Sequence, residues 1–150
     1  MKVLVTGASG NVGRFVVQYL LEKGEEVVAA GTDPNRLKTL FNEAVKTVRL
    51  DFTDEKTFGE ALKAVDRVFL MRPPHLGKAE ALYPFIDRMK AHGIRLVAFL
   101  SLMGVEKNPF PPHHKIEKYI IKKNLPYAFI RPGFFMQNLT GIHAEEIREY

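Results

Sequence analysis

Apolar residues fall along this chain in two kinds of block that take turns. The first kind is a short, nearly unbroken run: Val3-Leu4-Val5, Val27-Val28-Ala29-Ala30, Val45 to Leu50, Arg67 to Met71, Leu96 to Leu100 and Tyr127 to Ile130. Short runs rich in β-branched and aromatic residues and bounded by turn signals predict strands buried on both faces. The second kind has apolar positions at helical spacing. Val12, Phe15, Val16, Tyr19 and Leu20 form the first such stripe, and Leu37, Leu40 and Phe41 the second. Phe58, Ala61, Leu62 and Val65 give a third, Leu82, Phe85, Ile86 and Met89 a fourth, and Ile116, Tyr119 and Ile120 a fifth. Each stripe predicts the inward face of an amphipathic helix. Lys23-Gly24 and His92-Gly93 read as helix stops, Asp33-Pro34 as an N-cap and first-turn pair, and the last helix runs from about Pro112 to Lys123.

Strict alternation of strand and helix calls for an α/β domain: six parallel strands between two helical layers. Right-handed crossovers and a glycine turn after the first strand specify the doubly wound Rossmann order 3-2-1-4-5-6. No repeat, low-complexity tract or linker divides residues 1–150, so one domain is expected. Ligands of such a sheet sit at the carboxyl ends of its strands, which directs attention to the loops that follow them.

The first of these loops is Thr6-Gly7-Ala8-Ser9-Gly10-Asn11-Val12-Gly13. Gly7 lets the chain turn sharply, Gly10 lets backbone approach phosphate oxygens, and Gly13 lets the following helix pack on the strand. That helix is expected to begin near Asn11, so unpaired amides and the positive end of the helix dipole face the turn. Gly7, Ser9, Gly10, Asn11, Val12 and Gly13 therefore read as a pyrophosphate site that needs no charged side chain.

The later loops carry paired readings. Asp33 lies 20 residues beyond Gly13 and either bonds an adenosine 2′-hydroxyl or caps a helix, whereas Thr32 and Arg36 suit a 2′-phosphate. Asp51 either accepts from an adenine amino group or caps its loop, with Phe52 beside the ring or in the core. Met71 and Arg72 open a loop stiffened by Pro73 and Pro74 near the expected nicotinamide ribose, where Arg72 is either a ligand contact or a solvated side chain. Ser101 either reaches a substrate carbonyl or is a satisfied buried hydroxyl. His113 and His114 begin a helix, where the dipole lowers a histidine's pKa and keeps it a neutral donor, or they are simply polar.

Composition narrows the class. The chain is 46% hydrophobic and 26% charged, values of ordinary globular proteins, and its longest apolar stretch, Leu96 to Met103, is too short to span a bilayer. Met1-Lys2 precedes only three apolar residues, so no signal peptide is read and a cytoplasmic location is expected. The absence of cysteine excludes disulfides, thiolate metal sites and cysteine nucleophiles. No metal is expected at the paired histidines either, because no second ligand group stands at a suitable spacing. The net charge is +5, and the densest basic cluster is Lys115, Lys118, Lys122 and Lys123. The first three share a helical face opposite Ile116 and Ile120, which marks a solvated face rather than a nucleic-acid stripe.

Taken together, the glycine turn, Leu50-Asp51-Phe52, Leu100-Ser101 and the segment Arg131-Pro132-Gly133-Phe134-Phe135-Met136-Gln137-Asn138 resemble the NmrA-like branch of atypical short-chain dehydrogenases/reductases over essentially the whole chain. The resemblance implies NADP or NAD as cofactor, and quinone reductases, other small-molecule reductases and redox-sensing regulators as relatives. Related enzymes carry Tyr-x-x-x-Lys-x-x-x-Glu; with Glu117 as the last residue, His113 stands at the lysine position and Pro109 at the tyrosine position. The usual proton donor is missing, as in the quinone reductases. Many NADP-binding members have arginine where this chain has Thr32.

The resemblance implies an NAD(P)H-dependent oxidoreductase domain passing hydride to a quinone-like or other small electrophile, with a cofactor-sensing regulator as the alternative. His113 and Ser101 are its candidate catalytic residues, and Phe134, Phe135 and Asn138 its candidate substrate contacts. Related chains continue into a smaller C-terminal region, so this domain is expected to lack that region or to complete its site through a partner, a homo-oligomer included.

Overall fold

The computed structural model describes residues 1–133. Six strands, β1 (Lys2–Val5), β2 (Glu26–Gly31), β3 (Lys46–Arg49), β4 (Arg67–Met71), β5 (Leu96–Leu100) and β6 (Tyr127–Ile130), form one parallel sheet of order β3-β2-β1-β4-β5-β6. The helices are α1 (Gly13–Glu22), α2 (Pro34–Phe41), α3 (Phe58–Ala61), α4 (Tyr83–Ala91) and α5 (Pro112–Lys122). One core cluster joins Val17 of α1 and Leu37 of α2 to Val3, Val5, Val27 and Ala29. The other joins Phe58, Phe85, Ile86, Met89, Ile116 and Ile120 to Leu4, Val68, Leu70, Val97 and Phe99. Alternate residues of one strand thus feed opposite layers, the two-sided burial that unbroken apolar strands demand.

The ends of the elements have local causes. Asp33 Oδ1 accepts from the Asn35 and Arg36 amides at 3.0 and 3.2 Å, capping α2, whose first residue is Pro34. Asp54 caps a 3₁₀ turn, Glu55–Thr57, that leads into α3.

Several inward faces differ from the sequence reading. α1 begins at Gly13, two residues later than expected, and Val17 rather than Phe15 or Tyr19 is its fully buried side chain; Phe15 and Tyr19 are 51% and 58% exposed and face solvent.

 The cause is the phase that Gly13 imposes: once it packs against the β1 turn, positions 13 and 17 point inward, and 15 and 19 fall about 200° away. Leu40 is likewise exposed, leaving Leu37 buried and Phe41 half-buried in α2. The third helix is a single turn, because Ala64 adopts φ +56° and reverses the chain, so Leu62 and Val65 are buried from a turn instead. Leu82 belongs to a 3₁₀ turn, Ala79–Leu82, ahead of α4. β6 is the sheet edge, and Tyr127 and Ile130 are exposed there rather than buried.

Candidate functional site

The loops at the carboxyl ends of β1 to β4 meet around a cavity of about 190 Å³. Gly7, Ser9, Gly10, Thr32, Asp51, Phe52 and Met71 all line it, so seven sequence candidates from four separate loops come together. Thr6, Ala30, Gly31, Leu50, Pro73, Pro74, His75 and Leu76 complete its walls, and the sequence reading named none of these as a ligand contact. The signals for them were the glycine motif that contains Thr6 and the Pro73-Pro74 pair, which marked a stiff loop near the expected nicotinamide ribose without showing that His75 and Leu76 close the cavity.

Each glycine of the turn has a distinct constraint. Gly7 has φ +59°, a conformation that L side chains rarely adopt. A β-carbon on Gly13 would overlap the Gly7 carbonyl oxygen and lie 2.8 Å from Gly7 C and 2.9 Å from Ala8 Cα, so only glycine lets α1 start this close to β1. Gly10 lines the cavity, and a β-carbon there would stand 3.2 Å from Gly7 O. Among the described residues the amides of Ser9, Asn11 and Val12 donate to no protein acceptor, and Val12 at the helix start receives no side-chain cap. These donors, the start of α1 and the bare Gly10 surface fit a dinucleotide pyrophosphate.

Asp33 spends Oδ1 on capping, and Thr32 and Arg36 are both exposed beside it. Asp51 Oδ1 accepts from the Thr53 hydroxyl at 2.6 Å and the Thr53 amide at 2.9 Å, while Arg49 approaches Oδ2 at 3.4 Å. The Thr53 hydrogen bonds, helped by the charges of Arg49 and His75 and opposed by burial, hold the Asp51 carboxyl below its ordinary range. It is therefore an ionised acceptor on the cavity wall. Phe52 is buried and meets Phe85 edge to face at 5.3 Å, so it supports the wall from the core side.

Arg72 folds back on its own loop: Nη1 donates to the carbonyls of Leu76 at 2.7 Å, Pro73 at 3.2 Å and Pro74 at 3.4 Å. This staple shapes the 73–76 segment that closes the cavity.

Ser101 and His113 lie at the end of β5 and the start of α5, outside the cavity lining, and both are buried. The His113 ring stacks on Phe99 with centroids 5.9 Å apart. Its pKa is lowered to about 4, first by burial and then by the Arg72 charge, with Glu117 opposing. The sequence reading put a lowered pKa down to the helix dipole; burial is the leading cause. His114 bonds the Val105 carbonyl through Nδ1 and anchors the loop before α5. Among the described residues Ser101 Oγ, His113 Nδ1 and Arg72 Nε are buried without a hydrogen-bond partner.

One element of this region was not legible in the sequence. Glu117, one turn below His113, receives Arg131 Nε at 2.9 Å and Nη2 at 2.8 Å in a two-pronged pair. Burial opposes ionisation of Glu117, but the Arg131 hydrogen bonds and the charges of Arg131 and His114 hold its carboxyl below the usual range. The pair ties α5 to the chain leaving β6, and Ser101 N to Ile130 O at 2.7 Å and Met103 N to Pro132 O at 3.0 Å tie β5 to the same exit. Phe134, Phe135 and Asn138 lie outside the described residues.

A family model described as NAD(P)H-binding matches residues 7–147, nearly the whole chain. The chain belongs to this NAD(P)H-binding family. The domain is 35% identical over 144 residues to prestalk A differentiation protein A of Dictyostelium discoideum, covering 93% of this chain and 47% of that protein. It is 25% identical over 142 residues to quinone oxidoreductase 2 of Escherichia coli, covering 91% and 50%. Its fold superposes on the crystal structure of an E. coli NADPH-dependent quinone oxidoreductase complexed with NADPH with a TM-score of 0.85 at 23% identity, over 98% of this chain and 54% of the other. A Citrobacter sp. triphenylmethane reductase complexed with NADP(H) gives 0.84 at 20% identity, over 99% and 55%. The domain thus spans about half the length of the relatives it matches. Among the described residues no helix is long and apolar enough to cross a membrane.

Proposed function

We propose that this domain is the cofactor-binding part of an NAD(P)H-dependent oxidoreductase that passes hydride to a quinone-like or other small electrophilic acceptor. The carrying observation is the glycine cradle joined to a cavity walled by Thr32, Asp51 and Phe52. The Ser9, Asn11 and Val12 amides hold the pyrophosphate, Asp51 accepts from the adenine amino group, and Thr32 and Arg36 face the 2′ position. The nicotinamide, when bound, supplies hydride. Ser101 and His113 stand toward that end, where the related enzymes' tyrosine position is Pro109. Neutral His113 donates or accepts a hydrogen bond and orients its neighbours; with a pKa near 4 it holds no spare proton at neutral pH. The E. coli relative named a quinone oxidoreductase supports this choice of acceptor.

The test is titration of the purified protein with NADPH and NADH, followed by turnover with a panel of quinones read by loss of nicotinamide absorbance. Binding with no turnover across the panel rejects the enzymatic part. A second reading, a cofactor-sensing regulator, draws support from the relative named for prestalk A differentiation. It requires self-association or partner association to differ between oxidised and reduced cofactor, and equal association in both states rejects it.

A further inference from the structure

With no cysteine in the chain, side-chain sulfur chemistry rests on its five methionines. Among the described residues Met71 is the methionine that lines the cavity. Its amide donates to Thr6 Oγ1 at 2.9 Å, which pins its backbone at the end of β4. Its side chain runs beneath the glycine turn: a β-carbon built on Gly7 would overlap the Met71 methyl and lie 3.5 Å from its sulfur, and one on Gly10 would meet the same methyl at 3.7 Å. The Met71 side chain therefore lies under the glycine turn, on a half-buried residue that lines the cavity. Met89, by contrast, is sealed in the core, and Met1 and Met103 are 67% and 71% exposed without lining the cavity.

We propose that Met71 is an oxidation site through which hydrogen peroxide weakens dinucleotide binding. The sulfur lone pair attacks one peroxide oxygen, an S–O bond forms as the O–O bond breaks, and the departing hydroxide takes the proton of the new sulfur-bound hydroxyl, leaving the sulfoxide and one water. Sulfur loses two electrons and the peroxide is reduced to water. The product places a polar oxygen on a sulfur packed against Gly7. That oxygen either presses on the Gly7–Gly10 turn or turns the side chain into the cavity, and both outcomes compete with the dinucleotide. By reciprocity, bound dinucleotide protects Met71. The inference rests on the dinucleotide occupying this cavity. It makes cofactor loading fall under peroxide and recover with methionine sulfoxide reductase.

The experiment treats the full chain with graded hydrogen peroxide, removes the excess with catalase, and measures sulfoxide at each methionine by peptide mass spectrometry alongside NADPH affinity by fluorescence titration. Met71→Leu, a swap of similar volume, is treated in parallel, and each protein is compared with its own untreated sample. The expected result is a rise in the wild-type Kd of about tenfold, the scale of one lost packed contact, that follows Met71 oxidation and not Met103 oxidation. Saturating NADPH slows oxidation at Met71, Met71→Leu shows no peroxide-dependent change, and sulfoxide reductase restores the wild type. An unchanged Kd at full Met71 oxidation, or an equal loss in Met71→Leu, overturns the proposal. Failure of untreated protein to bind NADPH overturns the dinucleotide reading itself, and this proposal with it.

Discussion

Replacing glycine by alanine should have opposite effects at two helical positions, and the reason is the space each offers. At Gly59 in α3 nothing lies within 4 Å of an added β-carbon. Alanine there removes backbone freedom from the unfolded chain and favours helix, a gain of about 0.5–1 kcal/mol. At Gly13 the same gain is opposed by overlap with the Gly7 carbonyl and crowding against Gly7 C and Ala8 Cα. Overpacking costs about 1–3 kcal/mol, and the upper end applies because backbone atoms have no rotamer to escape into. Gly13→Ala should therefore lose about 2 kcal/mol net, which moves a urea midpoint down by about 1 M at a typical slope. It should also weaken NADPH binding, since relief requires α1 to draw away from the cradle. Equilibrium urea unfolding followed by circular dichroism measures both variants against wild type. A Gly13→Ala protein as stable as wild type, or a Gly59→Ala protein destabilised to the same degree, would refute the steric argument.

Three further outcomes are expected. The unfolded chain protonates His113 near pH 6.5 and the folded chain only near 4, so its contribution to stability is complete above about 6.5 and is lost as the pH falls toward 4; His113→Phe should remove about 2 kcal/mol of that acid sensitivity in urea melts, and equal pH slopes in both proteins would contradict it. Thr32→Arg should tighten NADPH binding by about tenfold while leaving NADH unchanged, because a guanidinium forms charge-assisted bonds with a 2′-phosphate; parallel calorimetric titrations with both cofactors decide this. Thr6→Val keeps the shape of a fully buried side chain but deprives the Met71 amide of its acceptor, which should cost about 1–3 kcal/mol in urea unfolding; a cost near zero would mean that the amide finds another partner.

The parts of the site that were legible in the sequence are those where one residue's local requirement suffices. Gly7, Gly10 and Gly13 announce a sharp turn, a bare backbone and a tight helix start, and the structure gives each of them that surrounding. Asp33-Pro34 likewise reads as a cap, and Asp33 caps. The 73–76 wall was not legible, because Arg72 looked like a solvated side chain until its guanidinium was seen to gather three carbonyls of its own loop. Nor was the Glu117–Arg131 pair, whose members sit 14 residues apart on a helix and at a strand end and meet only when β6 docks beside β5.

The sequence by itself determined the order of elements and the sheet: β4, β5 and β6 have the bounds their apolar runs predict, because a strand buried on both faces needs an unbroken run and little else. Tertiary structure decided which face of each helix points inward. In α1 the apolar residues leave room for more than one stripe, and the contact of Gly13 with the β1 turn chose Val17 over Phe15 and Tyr19. It also decided the charge state of His113, since burial, a property of the packed chain, outweighs anything its neighbours in sequence supply.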